Sequence, residues 1–108
     1  MAGRFLQVNF KFSVARVDYE ELAESLAPAF AEVPGLEWKV WILNEAENEA
    51  GGFYYFDEDE SLQLFLASEL AAKVQAHPAV SEFSAKTFEV MDSPTAVTRG
   101  PVAAAVAT

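Results

Sequence analysis

Leu36-Glu37-Trp38-Lys39-Val40-Trp41-Ile42-Leu43-Asn44, a polar link from Glu45 to Ala50, then Gly51-Gly52-Phe53-Tyr54-Tyr55-Phe56-Asp57: this stretch decides the fold. Both flanks are rich in aromatic and branched aliphatic residues, which suit a pleated, half-buried surface, whereas the link carries none. The pattern predicts a β-hairpin. With the turn centred near Ala46-Glu47, Lys39 falls opposite Tyr54 and Trp41 opposite Gly52, so that a large indole covers a glycine. Side chains alternate across a strand, so Lys39, Trp41, Tyr54 and Phe56 share one face. Trp38, Val40, Ile42, Phe53 and Tyr55 share the other, and this second set is assigned to the side that meets helices.

Helical patterns lie on both sides of the hairpin. Upstream, Tyr19, Leu22, Leu26, Phe30 and Val33 recur at helical spacing. Asp18 and Glu21 form a capping-box pair, Pro28 predicts a kink, and Pro34-Gly35 a stop. Downstream, Leu62, Phe65, Leu66, Leu70 and Val74 form a second stripe that ends at His77-Pro78. The run Asp57-Glu58-Asp59-Glu60 opens this helix, where carboxylates complement the macrodipole, and it is not read as a metal cluster. Two outer strands complete the pattern. In Phe5 to Phe12, Leu6, Val8, Phe10 and Phe12 fall on one side and Gln7, Asn9 and Lys11 on the other; Val80 to Met91 is the last strand.

The order βαββαβ predicts an α+β, ferredoxin-like domain with a four-stranded antiparallel sheet and two helices on one face. It spans residues 1–94. Beyond Asp92 periodicity is lost, Ser93-Pro94 and Gly100-Pro101 break the chain, and residues 95–108 read as a tail, flexible or packed on a partner subunit.

Composition bounds the function. A chain of 108 residues fits one domain and buries roughly 60–65% of its unfolded surface. At 52% hydrophobic and 13% aromatic it carries more apolar surface than so small a monomer hides. The sheet face assigned away from the helices, with Gln7, Asn9, Lys39, Trp41, Tyr54 and Phe56, is therefore predicted to dock on the same face of a second copy. A net charge of −10, from 17 acidic and seven basic residues, argues against nucleic acid and anionic membranes as partners. The absence of cysteine excludes disulfides, thiol nucleophiles and thiolate metal sites, and fits a cytoplasmic protein. No signal peptide or membrane-spanning run is expected.

Trp38-Lys39-Val40-Trp41, the polar link, and Glu49-Ala50-Gly51-Gly52-Phe53-Tyr54-Tyr55-Phe56 resemble the W-K-x-W and E-A-G-G-x-Y-x-F signature of the YdhR-like mono-oxygenases. Ala85-Lys86-Thr87-Phe88-Glu89-Val90, closing with Ser93-Pro94, resembles that family's last strand, so the likeness covers roughly residues 5 to 94. It implies the dimeric α/β barrel superfamily, which holds cofactor-free mono-oxygenases, haem-degrading enzymes and binding proteins. Fold membership alone does not select among these.

A cofactor-free mono-oxygenase takes its electrons from an activated phenol or similar carbon acid, so the protein supplies a dry aromatic cavity, a few donors and one base. The expected partner is a small aromatic molecule, with no cofactor and no metal. Between sheet and helices, Phe10, Phe12, Trp38, Tyr55 and Phe65 are the candidate walls, each of which also serves as ordinary core. Tyr55, with a hydroxyl that needs a partner when buried, and His77, the single histidine, are the candidate catalytic groups. Asn9, Lys39, Trp41 and Tyr54 are candidates for the dimer face or for an anion contact, with Lys39 stacking on an indole. Haem degraders of this superfamily carry Asn on the first strand and Trp and His on the second helix. Asn9 and His77 match, but both tryptophans lie on the second strand, which disfavours that chemistry. The alternative function is a non-catalytic dimer that binds a hydrophobic metabolite.

Overall fold

Alternation in the first strand is carried into three dimensions without change. In the computed structural model, which describes residues 3–102, β1 spans Arg4–Phe12 and buries Leu6, Val8, Phe10 and Phe12. The remaining elements are α1 (Arg16–Ala31), β2 (Leu36–Asn44), a 3₁₀ turn (Glu45–Glu47), β3 (Glu49–Phe56), α2 (Asp59–Leu66), α3 (Glu69–Ala76), β4 (Val80–Glu89) and α4 (Asp92–Val97). The strands form one antiparallel sheet in the order β2-β3-β1-β4, the ferredoxin-like arrangement predicted.

The hairpin register is the predicted one: Lys39 pairs with Tyr54 and Trp41 with Gly52. Its faces are reversed. β3 pairs with β1 so that Leu6 lies opposite Tyr54, Val8 opposite Gly52 and Phe10 opposite Ala50. Directly paired residues point the same way. Lys39, Trp41, Tyr54 and Phe56 therefore join Leu6 and Val8 on the helix side, and Trp38, Val40, Ile42, Phe53 and Tyr55 turn to the open face. Hairpin register dictates which residues share a face but does not choose the face that meets the helices. Both sets here are aromatic, so only pairing with a third strand separates them.

Helix ends also differ from expectation. α1 starts two residues before Asp18, capped by Ala15, whose carbonyl accepts from the Asp18 and Tyr19 N–H groups at 3.0 Å each. No capping box forms, and Asp18 instead places its charge in the first turn, where it complements the dipole. The second predicted helix is two helices. Ser68 breaks it, its Oγ donating to the Phe65 carbonyl (2.6 Å) and accepting from the Ala71 N–H (3.2 Å) as the cap of α3. Asp57 accepts from the Ser61 hydroxyl (2.6 Å), while Asp59 and Glu60 occupy the first turn of α2. Gly35 adopts φ +81° at the stop after α1, a conformation only glycine takes without strain.

The core lies between sheet and helices. Leu6, Phe56 and Leu62 are fully buried, and Phe30 of α1 and Phe65 of α2 meet Tyr54 at ring distances of 6.0 and 5.3 Å. On the open face Trp38 stacks on Tyr55 (5.7 Å) and Phe5 stacks on Phe53 (5.7 Å). The segment expected as a tail, flexible or packed on a partner subunit, instead begins within α4 and then returns to its own sheet, where the Pro101 carbonyl accepts from the Trp38 indole N–H at 2.7 Å. Residues 103–108 of that tail lie outside the described residues. Among the described residues, no helix is long and apolar enough to cross a membrane.

Candidate active site

A cavity of about 140 Å³ opens between the sheet and α1 and α3. α1 contributes Tyr19, Leu22, Ala23, Leu26 and Phe30, the inward stripe of an amphipathic helix, and small Ala23 in mid-stripe leaves the space unfilled. The sheet contributes Phe10, Lys39, Trp41, Gly51, Tyr54 and Val80, and the far end is closed by Lys73, Val74 and His77.

Lys39 is the unusual member. Its Nζ lies 3.3 Å from the Trp41 ring centroid, 3.4 Å from Phe30 and 4.6 Å from Tyr54, an aromatic cage on three sides. Among the described residues no carboxylate pairs with it. Burial disfavours the ammonium and brings its pKa down from 10.5 to about 7. The electron-rich ring faces act in the opposite sense and keep the charged form within reach. Gly52 leaves room for this placement: a Cβ there would stand 2.9 Å from the lysine Cε and would push the stem from its present path over β3. On the opposite face a Cβ on Gly51 would collide with the Val8 carbonyl, which holds β1 and β3 close.

The other polar groups are donors. Burial raises the pKa of Tyr54, with a smaller contribution from nearby Tyr19, and burial alone raises that of Tyr19, so both hydroxyls stay protonated at neutral pH. Neither phenol hydrogen-bonds another described residue, so each has its donor capacity open to a ligand. His77 ends α3, and its Nδ1 accepts from the Ala79 N–H at 3.0 Å. That bond commits Nδ1, puts the ring proton on Nε2, and makes His77 a donor rather than a base.

The candidates of the sequence thus redistribute. Phe10 lines the cavity as expected; His77 also lines it, but as the cap of α3 with Nδ1 engaged and not as the free base a catalytic role would need. Phe12 and Phe65 back it, Phe12 stacked on Tyr19 at 5.1 Å and Phe65 against Tyr54. Trp38 and Tyr55 are not in it: they lie on the open face, where Tyr55 is buried against Trp38 and the Gly3 backbone. Tyr55 therefore does not offer its hydroxyl to a ligand between sheet and helices. Asn9 does lie on the open face, accepting from Gln7 Nε2 (2.9 Å). Lys39, Trp41 and Tyr54, expected beside it, move to the cavity, where Lys39 does stack on the Trp41 indole. Phe30 and Tyr19 were legible as stripe residues but not as site residues; the mid-stripe alanine was the available signal. Lys73 carried none. Among the described residues, no three acidic or histidine side chains gather as a metal-ligand set.

The family model described as "Putative mono-oxygenase ydhR" matches residues 5–101. The chain belongs to this family. Comparison with curated proteins finds no significant match. Among solved structures, this ydhR-family chain is similar to SnoaB, a cofactor-independent oxygenase from Streptomyces nogalater (TM-score 0.68, 16% identity, 83% of this chain and 94% of that one). It is also similar to a protein of unknown function from Nitrosomonas europaea (TM-score 0.71, 17% identity, 84% and 91%). A third is an antibiotic biosynthesis mono-oxygenase, so described provisionally, from Deinococcus radiodurans (TM-score 0.65, 13% identity, 81% and 91%). At these identities the structural matches establish a shared fold. Within the family signature, the geometry separates two roles: Lys39, Trp41, Gly52 and Tyr54 build the cage, whereas Trp38 and Tyr55 secure the opposite face.

Proposed function

We propose that this protein is a cofactor-independent mono-oxygenase that oxidises an electron-rich aromatic small molecule with O2 inside the cavity. The observation that carries the reading is Lys39, a half-buried, ring-caged amine with no carboxylate partner among the described residues, facing an aromatic cavity in a mono-oxygenase family member. A base is most effective when its pKa lies near the working pH, and burial brings Lys39 there. It takes the proton of an activated hydroxyl and then remains as the ammonium beside the oxyanion. The Tyr19 and Tyr54 hydroxyls serve as further donors. The substrate anion supplies the electrons: O2 adds one oxygen to the ring carbon, the other leaves as water with two substrate hydrogens, and the product is a quinone.

The apolar open face supports a homodimer. Phe5, Val40, Ile42, Phe53 and Phe88 present apolar surface there, with Val40 50% and Phe88 45% exposed, and the same face of a second copy covers it. The lack of cysteine fits a cytoplasmic location.

Oxygen consumption by chelator-treated protein with hydroquinone-type and anthrone-type substrates tests the reaction. Product formation from at least one of these classes above the uncatalysed rate, with an oxygen atom of isotope-labelled O2 incorporated and with loss in Lys39→Met, is the expected result. Binding without any oxygen uptake leaves the alternative, a carrier of hydrophobic metabolites.

A further inference from the structure

We infer that the ligand of this cavity is a single-ring phenol, bound as its oxyanion against Lys39. The inference rests on the cavity being the substrate site and deepens that reading by naming the substrate class.

Three observations carry it. The first is size. The cavity holds about 140 Å³, close to the roughly 150 Å³ of an apolar cavity that accepts one benzene, whereas drug-sized ligands occupy about 300 Å³ or more. One substituted ring fills this space, whereas a fused three-ring skeleton would have to extend out of its open side. The second is charge. The chain carries 17 acidic residues against seven basic ones, yet no acidic residue lines the cavity, while Lys39, Lys73 and His77 do. A surface this acidic turns anions away, and a lining free of carboxylates that also carries two lysines is a place where an anion is tolerated. The third is hydrogen bonding. Lys39 Nζ, the Tyr19 and Tyr54 hydroxyls and the proton-bearing Nε2 of His77 are all donors, and the fixed Nδ1 of His77 is already occupied. Such a lining is matched by an acceptor, and its aromatic and aliphatic walls are matched by a flat hydrocarbon. A phenolate combines the two.

4-Nitrophenol is a suitable probe because its ionised form is coloured. Mixed with the full-length protein somewhat below the pH at which free 4-nitrophenol ionises, it is expected to bind and to show a growing phenolate band. Its methyl ether, 4-nitroanisole, has the same ring and cannot ionise; it is expected to bind about 10- to 100-fold more weakly in calorimetry, the usual worth of a charged hydrogen bond. Lys39→Met is expected to lose the same factor for the phenol and little for the ether, with thermal melts confirming that it is folded. Anthrone, a three-ring carbon acid, is expected not to bind. Equal affinity for phenol and ether, or an unaffected Lys39→Met, overturns the oxyanion contact. Anthrone binding as tightly as the phenol overturns the size limit. Oxygen uptake separates this inference from the proposed reaction. Phenols that bind at Lys39 without consuming oxygen refute the oxygenase and uphold the ligand class. Turnover of anthrone alone does the reverse.

Discussion

Replacing Lys39 by methionine is expected to make this protein more stable, an unusual outcome for a residue at the centre of a site. The side chain keeps its length and loses its charge, and thioethers pack well on aromatic faces. Burial takes the ammonium from 10.5 to about 7, and at about 1.4 kcal/mol per pKa unit the folded state bears at most about 5 kcal/mol while Lys39 is charged in both states. The faces of Phe30, Trp41 and Tyr54 return about 2–3 kcal/mol of this between them. A net gain of about 2–3 kcal/mol for Lys39→Met follows below about pH 7. The sign with pH is fixed. Between the lowered pKa of the folded state and 10.5 the unfolded chain holds the lysine proton that the folded chain has released, so wild-type stability rises with pH and the advantage of the variant shrinks. Urea unfolding of both proteins at about pH 6, 8 and 10 measures the difference, in which other titrating groups cancel. At an m-value of about 1–2 kcal/mol/M the midpoints should separate by roughly 1–3 M at the lowest pH and converge at the highest. A variant less stable than wild type at about pH 6, or a difference that does not change with pH, refutes the claim that Lys39 is a desolvated cation.

Gly52→Ala puts a methyl group 2.9 Å from the Lys39 Cε; phenol binding, followed by calorimetry, should fall about tenfold while the protein stays folded. Ala23→Leu fills the cavity from α1 and should abolish ligand binding, with a melting temperature equal to or above wild type. Val40→Glu places a charge at a half-exposed position of the edge strand β2 on the open face and should shift sedimentation toward monomer with cavity binding intact; an unchanged dimer would locate the subunit contact elsewhere.

The sequence by itself determined the four strands, the first helix, their order and the hairpin register, but it read α2 and α3 as one helix and did not anticipate α4. Period-two alternation in β1, helical spacing at Tyr19, Leu22, Leu26 and Phe30, and the polar link after Asn44 are local signals, and local hydrogen bonding obeys them. Ser68 was missed because the apolar stripe runs on either side of it at helical spacing, and a serine that caps looks like any surface serine until the backbone turns. The candidate site was half legible: Phe10, His77, and a Lys39–Trp41–Tyr54 grouping drawn correctly but put on the wrong side. That last choice belongs to tertiary structure alone. Both faces of the hairpin are aromatic, and a lysine argues for solvent, so no local preference turns Lys39 inward. The pairing of Leu6 with Tyr54 does so, by committing β3 and with it β2 to the face that β1 had already turned toward the helices. From that one long-range contact follow the cage, the lowered lysine pKa and the cavity.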